Sequence, residues 1–420
     1  MADDFYDVEA LTAGANSTVT ITDDGTGIDW LSLTGIHRDY STFRLEWLVS
    51  SGVSQQARVT YFNPDNSSYS LVVNGLIENV RGSIGADWVN GNEANNLIFG
   101  DQARGGAGGS DTLGGHTGND TIYGGAGNDE ISGSYDDDQL FGDAGNDLLY
   151  GGDGTDILQG GAGADSLYGG SNGSDWVSYS QSKAAVQVVL IAGSNSTASS
   201  GGDAAGDLIY GINNVIGSNF NDTLTDSPLS NANNANVFRG LSGNDILNLG
   251  GNNDSGYGGI GNDSLYGGTG NDTLRGEDGI DRLEGGVGND SLYGGNGADR
   301  LIGGSGLDRL YGGLGADRFV FVEVADSTAL PSARDVIYDF NRAQGDKIDL
   351  TAIDTNLALA NDQQFSWRGT AGFDGTLGAL RAVNSGANTL VMADMNGDRI
   401  TDFSFVVIGV NNMVSTDFML

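Results

Sequence analysis

Aliphatic side chains recur along this chain with a period of nine. In one run they are Leu113, Ile122, Ile131, Leu140, Leu149, Leu158 and Leu167. In a second they are Leu247, Leu265, Leu274, Leu283, Leu292, Leu301, Leu310 and Phe319, with Gly256 the one break in register. One apolar residue in nine, framed by polar positions and glycine, fits neither the period of a helix nor a plain alternating strand. It predicts very short strands, each sending one aliphatic inward, separated by tight polar turns. Two such halves close a coil of 18 residues, so the strands stack into two parallel sheets. Residues one coil apart then lie above one another at about 4.8 Å.

Two positions before each aliphatic stands an aspartate. Sixteen of them keep the period: Asp111, Asp120, Asp129, Asp138, Asp147, Asp156 and Asp165, then Asp245, Asp254, Asp263, Asp272, Asp281, Asp290, Asp299, Asp308 and Asp317. Most follow Gly-Gly-x-Gly-x, as in Gly124-Gly125-Ala126-Gly127-Asn128-Asp129, where glycine lets the backbone turn through positive φ. Coiling puts Asp111, Asp129, Asp147 and Asp165 on one edge of the first array and Asp120, Asp138 and Asp156 on the other. Carboxylates stacked about 5 Å apart repel by roughly 3 kcal/mol per neighbour at an effective dielectric near 20. A buried leucine returns only about 2 kcal/mol. The columns therefore call for a cation, and Ca²⁺ suits them because it accepts six to eight hard oxygens, main-chain carbonyls included. One ion per stacked pair gives about twelve ions. Reading the aspartates as plain polar turn formers leaves their shared register unexplained. The turns before Asp120 (His116 for glycine), Asp138 (Ser134 to Asp137) and Asp254 (Asn252-Asn253) are expected to hold metal least well.

A longer repeat surrounds the short one. Gly27-Ile28-Asp29-Trp30 resembles Gly173-Ser174-Asp175-Trp176, and Ile77 to Ser83 resembles Ile212 to Ser218. Each copy runs through degenerate lead-in turns (Asp87, Asn96; Asp222, Asn236) into an array. The chain thus reads as all-β, with two tandem parallel β-rolls. A β segment at 1–104 precedes a first roll at 105–178, and a linking segment at 179–237 precedes a second roll at 238–318. Residues 319–420 form a C-terminal β domain with strands near Phe319–Val322 and Phe403–Ile408. The stretch from Thr351 to Ala360 is the one expected helix.

Composition narrows the partners. The chain holds 71 glycines, three prolines and a formal charge of −38. That charge argues against nucleic acid, which needs a basic surface. With no cysteine there are no disulfides or thiolate metal sites. No stretch approaches a membrane span, and Met1-Ala2-Asp3-Asp4-Phe5 lacks a secretory signal's basic start and apolar run.

The repeats resemble those of the RTX (repeats-in-toxin) family of secreted calcium-binding proteins, whose fold is the parallel β-roll. In that family calcium is held by the Asp side chain and the carbonyls of the second and fourth turn residues. The resemblance therefore implies Gly125 and Gly127 beside Asp129, then Gly145, Gly152, Gly154, Gly161 and Gly163 in the first array. In the second it implies Gly259, Gly261, Gly268, Gly270, Gly279, Gly286, Gly288, Gly295, Gly297, Gly304, Gly306, Gly313 and Gly315. The tail resembles the serralysin-type C-terminal domain at Gly315 to Phe321, Asp335 to Phe340, Gly345 to Leu350 and Asp394 to Phe403. It ends Asp417-Phe418-Met419-Leu420, which in that family belongs to an uncleaved signal read by the type I secretion apparatus. The resemblance implies a secreted, extracellular protein that folds on meeting calcium. It stops short of the family's proteases, which need three histidines on zinc, because the sequence has only His37 and His116.

Fainter signals compete with plainer readings. Gly169-x-Ser171-x-Gly173 matches a hydrolase elbow but falls in a roll turn, and nothing fixes His37 against Ser32 or Asp39 as a triad. Asp394-x-Asn396-x-Asp398 with Asp402 resembles part of an EF-hand loop, with Arg399 where glycine belongs. Trp30, Trp47, Tyr61, Phe62, Tyr69 and Trp88 suit the core of a small β domain better than a sugar-stacking face. Arg282, Arg300 and Arg318, 18 residues apart, make a basic ladder with Arg309 on the opposite wall. The ladder either neutralises nearby acids or binds an acidic polysaccharide. The expected function is a non-catalytic, calcium-folded secreted protein. The alternatives are a module binding acidic polysaccharide, or a polysaccharide-modifying or lipolytic enzyme with its site in the non-repeat segments.

Overall fold

A computed structural model describes residues 80–82, 86–101, 108–191, 199–226, 235–353 and 364–420, together with the backbone of seven strands between Phe5–Asp7 and Asn79–Arg81. The chain divides into two compact units, 1–215 and 216–420. Each contains a parallel β-roll.

In the first unit one wall stacks Asp87–Asn90, Thr112–His116, Glu130–Tyr135, Leu148–Asp153, Ser166–Ser171 and Leu208–Tyr210. The facing wall stacks Asn79–Arg81, Leu97–Phe99, Thr121–Ala126, Gln139–Ala144, Ile157–Ala162 and Trp176–Ser178. From Thr112–His116 to Ser166–Ser171 the pairings between these strands join residues 18 apart, as in Leu149↔Leu167 and Ile122↔Leu140, and Ile157↔Trp176 after them joins residues 19 apart. The aliphatic column fills the space between the walls, with Ile122 through Leu167 at 0% exposure. Ahead of the roll, Thr42–Leu48, Gln56–Phe62 and Ser68–Asn74 form an antiparallel meander that joins the wall through Asp87–Asn90.

The second unit repeats the plan. Val237–Ser242, Ser255–Ile260, Thr273–Asp278, Ser291–Asn296 and Arg309–Leu314 form one wall. Thr223–Asp226, Ile246–Asn248, Ser264–Thr269, Arg282–Val287, Arg300–Ser305 and Arg318–Val320 form the other. Both walls continue into the tail: Val336–Ile337 and then Phe403–Val407 extend the first, Lys347–Asp349 and then Phe418–Met419 the second. The tail adds its own antiparallel hairpin, Ala379–Ser385 with Asn388–Asp394.

The break in the aliphatic column at Gly256 has a local remedy. Leu249 lies off the nine-residue period and is 0% exposed. Its Cδ1 sits 2.9 Å from where a β-carbon on Gly256 would stand. It fills the hole from the neighbouring turn.

No α-helix occurs among the described residues, which hold only short 3₁₀ turns such as Gly202–Ala204 and Val324–Asp326. Of the expected helix over 351–360, residues 351–353 form a turn and the rest lies outside the described residues. His37, Asp39 and the side chains of Trp30, Trp47, Tyr61, Phe62 and Tyr69 also lie outside them.

Candidate metal centre

The strand leaves each turn directly after its aspartate, so the carboxylate points back along the roll edge. There it meets the coil before it. Asp129 Oδ1 accepts the main-chain N–H of Asp111 at 2.8 Å, Asp147 Oδ1 that of Asp129, and Asp165 Oδ1 that of Asp147. The opposite edge runs Asp120 to Asp138 to Asp156 in the same way. In the second roll the edges run Asp245, Asp263, Asp281, Asp299, Asp317 and Asp254, Asp272, Asp290, Asp308. The structure thus assembles the predicted columns.

One oxygen of each carboxylate is used by this ladder, and the other is not. In all sixteen repeat aspartates Oδ2 is buried and has no hydrogen-bond partner, although the side chains are at most 2% exposed. Such isolation raises a carboxyl's pKa, first through desolvation and then through neighbouring carboxylates. The sixteen are pushed up to between about 6 (Asp129, Asp299) and about 9 (Asp111, beside Asp87). A buried anionic oxygen without a donor asks for a cation.

The donor set is hard oxygen throughout. Among the described residues no group of three or more His, Cys, Asp or Glu side chains converges on one point, so main-chain carbonyls or water would supply the rest of any shell. The second and fourth turn glycines stack coil on coil with positive φ, as at Gly286 (107°) and Gly288 (148°). Their carbonyls face the equivalent glycine of the next coil. Gly268 O lies 2.2 Å, and Gly270 O 1.6 Å, from where β-carbons on Gly286 and Gly288 would stand. This packing of oxygens against bare backbone fits a cation that takes carboxylate and carbonyl together.

The first glycine of the motif, which periodicity alone does not single out, is equally constrained. A β-carbon on Gly124 would stand 2.4 Å from Asp129 Oδ2, and one on Gly285 2.4 Å from Asp290 Oδ2. The asparagine that stands before eight of the sixteen aspartates also has a role. Asn146 N–H donates to Asn128 Oδ1, and Asn289 N–H to Asn271 Oδ1, forming an exposed ladder beside the buried one. The 18-residue recurrence of asparagine was its signal.

At the turns expected to be weakest, non-glycine residues occupy the left-handed region: His116 (φ 91°), Ser134 (91°), Asp136 (71°) and Asn252 (86°). Asp143, Leu241 and Glu277 share that strain (φ 69°, 78° and 76°) and were not anticipated.

Two of the fainter candidates make hydrogen bonds within the fold, and the third forms a ladder. Asp394 is buried and closes its own loop, Oδ1 accepting the N–H of Gly397 and Oδ2 that of Arg399. Asp402 Oδ2 accepts the N–H of Met395. Ser171 sits at a strand end and donates to Asp153 Oδ1 at 2.7 Å. Arg282, Arg300 and Arg318 do stack in register, and Lys347 adds a fourth rung. Arg282 is engaged by Glu284 and the Tyr266 hydroxyl, both at 2.6 Å. No helix among the described residues is long and apolar enough to cross a membrane.

Comparison with known proteins follows this geometry. The family of RTX calcium-binding nonapeptide repeats matches within 74–178 and 232–321, the stretches that coil. No curated protein matches the chain. Among solved structures, the AlgE6R3 subunit of the Azotobacter vinelandii mannuronan C5-epimerase is 25% identical, covering 40% of this chain and 78% of that one, with a TM-score of 0.25. The AlgE6R2 subunit of the same enzyme is 27% identical over 38% of this chain and 88% of that one, with a TM-score of 0.21. The extracellular lipase LipA of Serratia marcescens is 16% identical over 78% of this chain and 45% of that one, with a TM-score of 0.19. Periodicity, the two parallel walls and the family match lead to one conclusion: this is a calcium-binding β-roll protein whose arrays belong to the RTX nonapeptide repeats.

Proposed function

We propose that the chain is a secreted, non-catalytic protein that folds when calcium fills its carboxylate columns. The observation behind this reading is the row of sixteen buried Oδ2 atoms without a partner. Asp111 to Asp165 and Asp245 to Asp317, with the carbonyls of the second and fourth turn glycines, are the ligands. About twelve ions fill the gaps between rungs, at one per stacked pair. Without them, rows of ionised carboxylates hold the chain open, the form an exporter can thread. Calcium outside the cell converts binding energy into folding energy. The serralysin-like tail at 319–420 serves as the type I export signal.

The test is a calcium titration of chelated protein followed by far-UV circular dichroism, with the bound metal counted by elemental analysis. A β spectrum should grow with calcium, and about twelve ions should remain after desalting. An unchanged spectrum in excess chelator would defeat the proposal.

A second reading rests on the basic ladder. Arg300 and Arg318 have no ion-pair partner among the described residues, so this wall of an otherwise acidic chain suits a linear polyanion such as an acidic polysaccharide. Replacing both with alanine should abolish retention on an alginate column. Unchanged retention removes this reading.

A further inference from the structure

The sequence holds five Asn-Gly pairs, and the described residues include four of them whole: Asn90-Gly91, Asn172-Gly173, Asn296-Gly297 and Asn396-Gly397. Asparagine before glycine is chemically vulnerable, because the glycine nitrogen can attack the side-chain amide carbon with no β-carbon in the way. Whether it does so depends on that nitrogen being free. In three pairs it is not. Gly91 N–H donates to the Gly114 carbonyl at 2.7 Å, and Gly297 N–H to the Leu314 carbonyl at 2.6 Å. Gly397 N–H donates to Asp394 Oδ1 at 2.7 Å. Asn296 and Asn396 are both exposed, so exposure alone does not separate the four.

Asn172-Gly173 differs, and the end of the first array is the cause. Nine residues separate successive aspartates up to Asp165, but ten separate Asp165 from Asp175. Gly173 keeps the place of a fourth-position glycine, since a β-carbon on it would stand 1.5 Å from the Gly154 carbonyl of the coil before. Asn172 is therefore the surplus residue of its turn, exposed and in the left-handed region (φ 64°). Its Nδ2 donates to Asp153 Oδ1 at 3.2 Å, against 2.6 Å for Asn296 on Asp278.

In interior coils the fourth glycine's N–H donates to the coil that follows, as Gly145 does to Ala162 and Gly279 to Asn296. The strand beyond Gly173 is Leu208–Tyr210, hung on Asp207, whose Oδ1 accepts the Asp165 N–H at 2.9 Å. From Gly211 the chain passes directly to Asn213 and Asn214, whose N–H groups reach the Asp175 carbonyl at 3.3 and 3.0 Å. The turn residues that would cover Gly173 are left out, and its N–H has no acceptor among the described residues.

We propose that Asn172 is a site of spontaneous deamidation, set by the missing turn above Gly173. The Gly173 nitrogen bonds to the Asn172 side-chain carbon, and its proton leaves with the side-chain nitrogen as ammonia, giving a cyclic imide. Water then opens the ring at either carbonyl and leaves aspartate or isoaspartate. The product sets a carboxylate against Asp153 Oδ1, where an amide had donated. The same turn carries Asp175, whose Oδ1 accepts the Asp156 N–H at 3.0 Å, so the change loosens the last rung of that edge.

The test is peptide mapping by mass spectrometry of the full chain, aged in calcium and mildly alkaline buffer. Deamidation at Asn172 should run about tenfold ahead of Asn90, Asn296 and Asn396, whose attacking nitrogens must first lose a hydrogen bond. In urea the four pairs should react at comparable rates. Equal rates in the folded chain overturn the proposal. A lead for Asn172 that persists unchanged in urea also overturns it, because neighbouring sequence and not the fold then sets the rate. Asn172→Ser should remove the first acidic species that ageing produces on anion exchange, and persistence of that species counts against the site.

Discussion

Chelation at different pH values probes the buried columns most directly. Take Asp254, Asp281 and Asp290, each pushed up to about 7 by burial against a usual 3.8. A carboxyl whose pKa is raised on folding binds its proton more tightly in the folded state. Its contribution is therefore fully present below pH 3.8 and is lost as pH rises through about 7. Linkage puts the loss between pH 5 and pH 8 at about 2–3 kcal/mol for each such group. A handful of them already exceeds the about 5–15 kcal/mol that holds a domain folded. The calcium-free chain should therefore be unfolded at pH 8 and gain β structure as the solution is brought to pH 5, just above the isoelectric point near 4.1. Calcium should make the opposite demand, because it binds only the ionised carboxylate and so holds the fold best at pH 8. The assay is far-UV circular dichroism across that range, with chelator in one series and excess calcium in the other. A chelated chain that keeps its β spectrum at pH 8, or one that stays unfolded at pH 5, would refute the reasoning.

Two substitutions test the packing behind the columns. Gly285→Ala places a β-carbon 2.4 Å from Asp290 Oδ2 and 2.5 Å from the Gly303 carbonyl at a position without positive φ, so it crowds the carboxylate and the next coil and leaves its own turn's φ unstrained. Bound calcium should fall in Gly285→Ala, as counted by elemental analysis of the desalted protein, and an unchanged count would refute the crowding. Leu249→Ala should cost about 2–5 kcal/mol in a urea titration with calcium present, because it reopens the hole beside Gly256. Adding Gly256→Leu should restore most of that loss, and a double variant no more stable than Leu249→Ala would show that the two positions do not share one space.

The regular part of this fold was legible because one residue type per position repeats often enough to fix a register. The aspartate and aliphatic columns follow from the period alone, since residues 18 apart must stack. Leu249 was not legible, because it occupies the first-glycine place of its turn and looks like a defect until Gly256 is seen beside it. The first glycine's constraint was hidden for another reason. Its φ is ordinary, and the carboxylate of the same turn and the carbonyl of the next coil, both lying over it, explain why no side chain is allowed. Terminal rungs escaped notice because Asp207 lies 42 residues from Asp165, and Asp335 and Asp346 lie 27 and 29 residues from Asp308 and Asp317.

Those terminal rungs follow from the direction of the ladders. Each aspartate carboxylate closes an N–H of the coil before it, as Asp299 does for Asp281. Each turn asparagine closes an N–H of the coil after it, as Asn262 does for Ile280. An interior coil is therefore clasped from both sides, but the last coil of an array depends on a carboxylate that no further repeat supplies. A buried N–H left without that acceptor costs about 1–3 kcal/mol. Asp207 meets the need in the first unit, and Asp335 and Asp346 meet it in the second. Residues 335–349 accordingly act as a final coil of the roll, whatever else the tail does. A repeat that hands its unsatisfied group forward at every turn requires a non-repeating segment to end it.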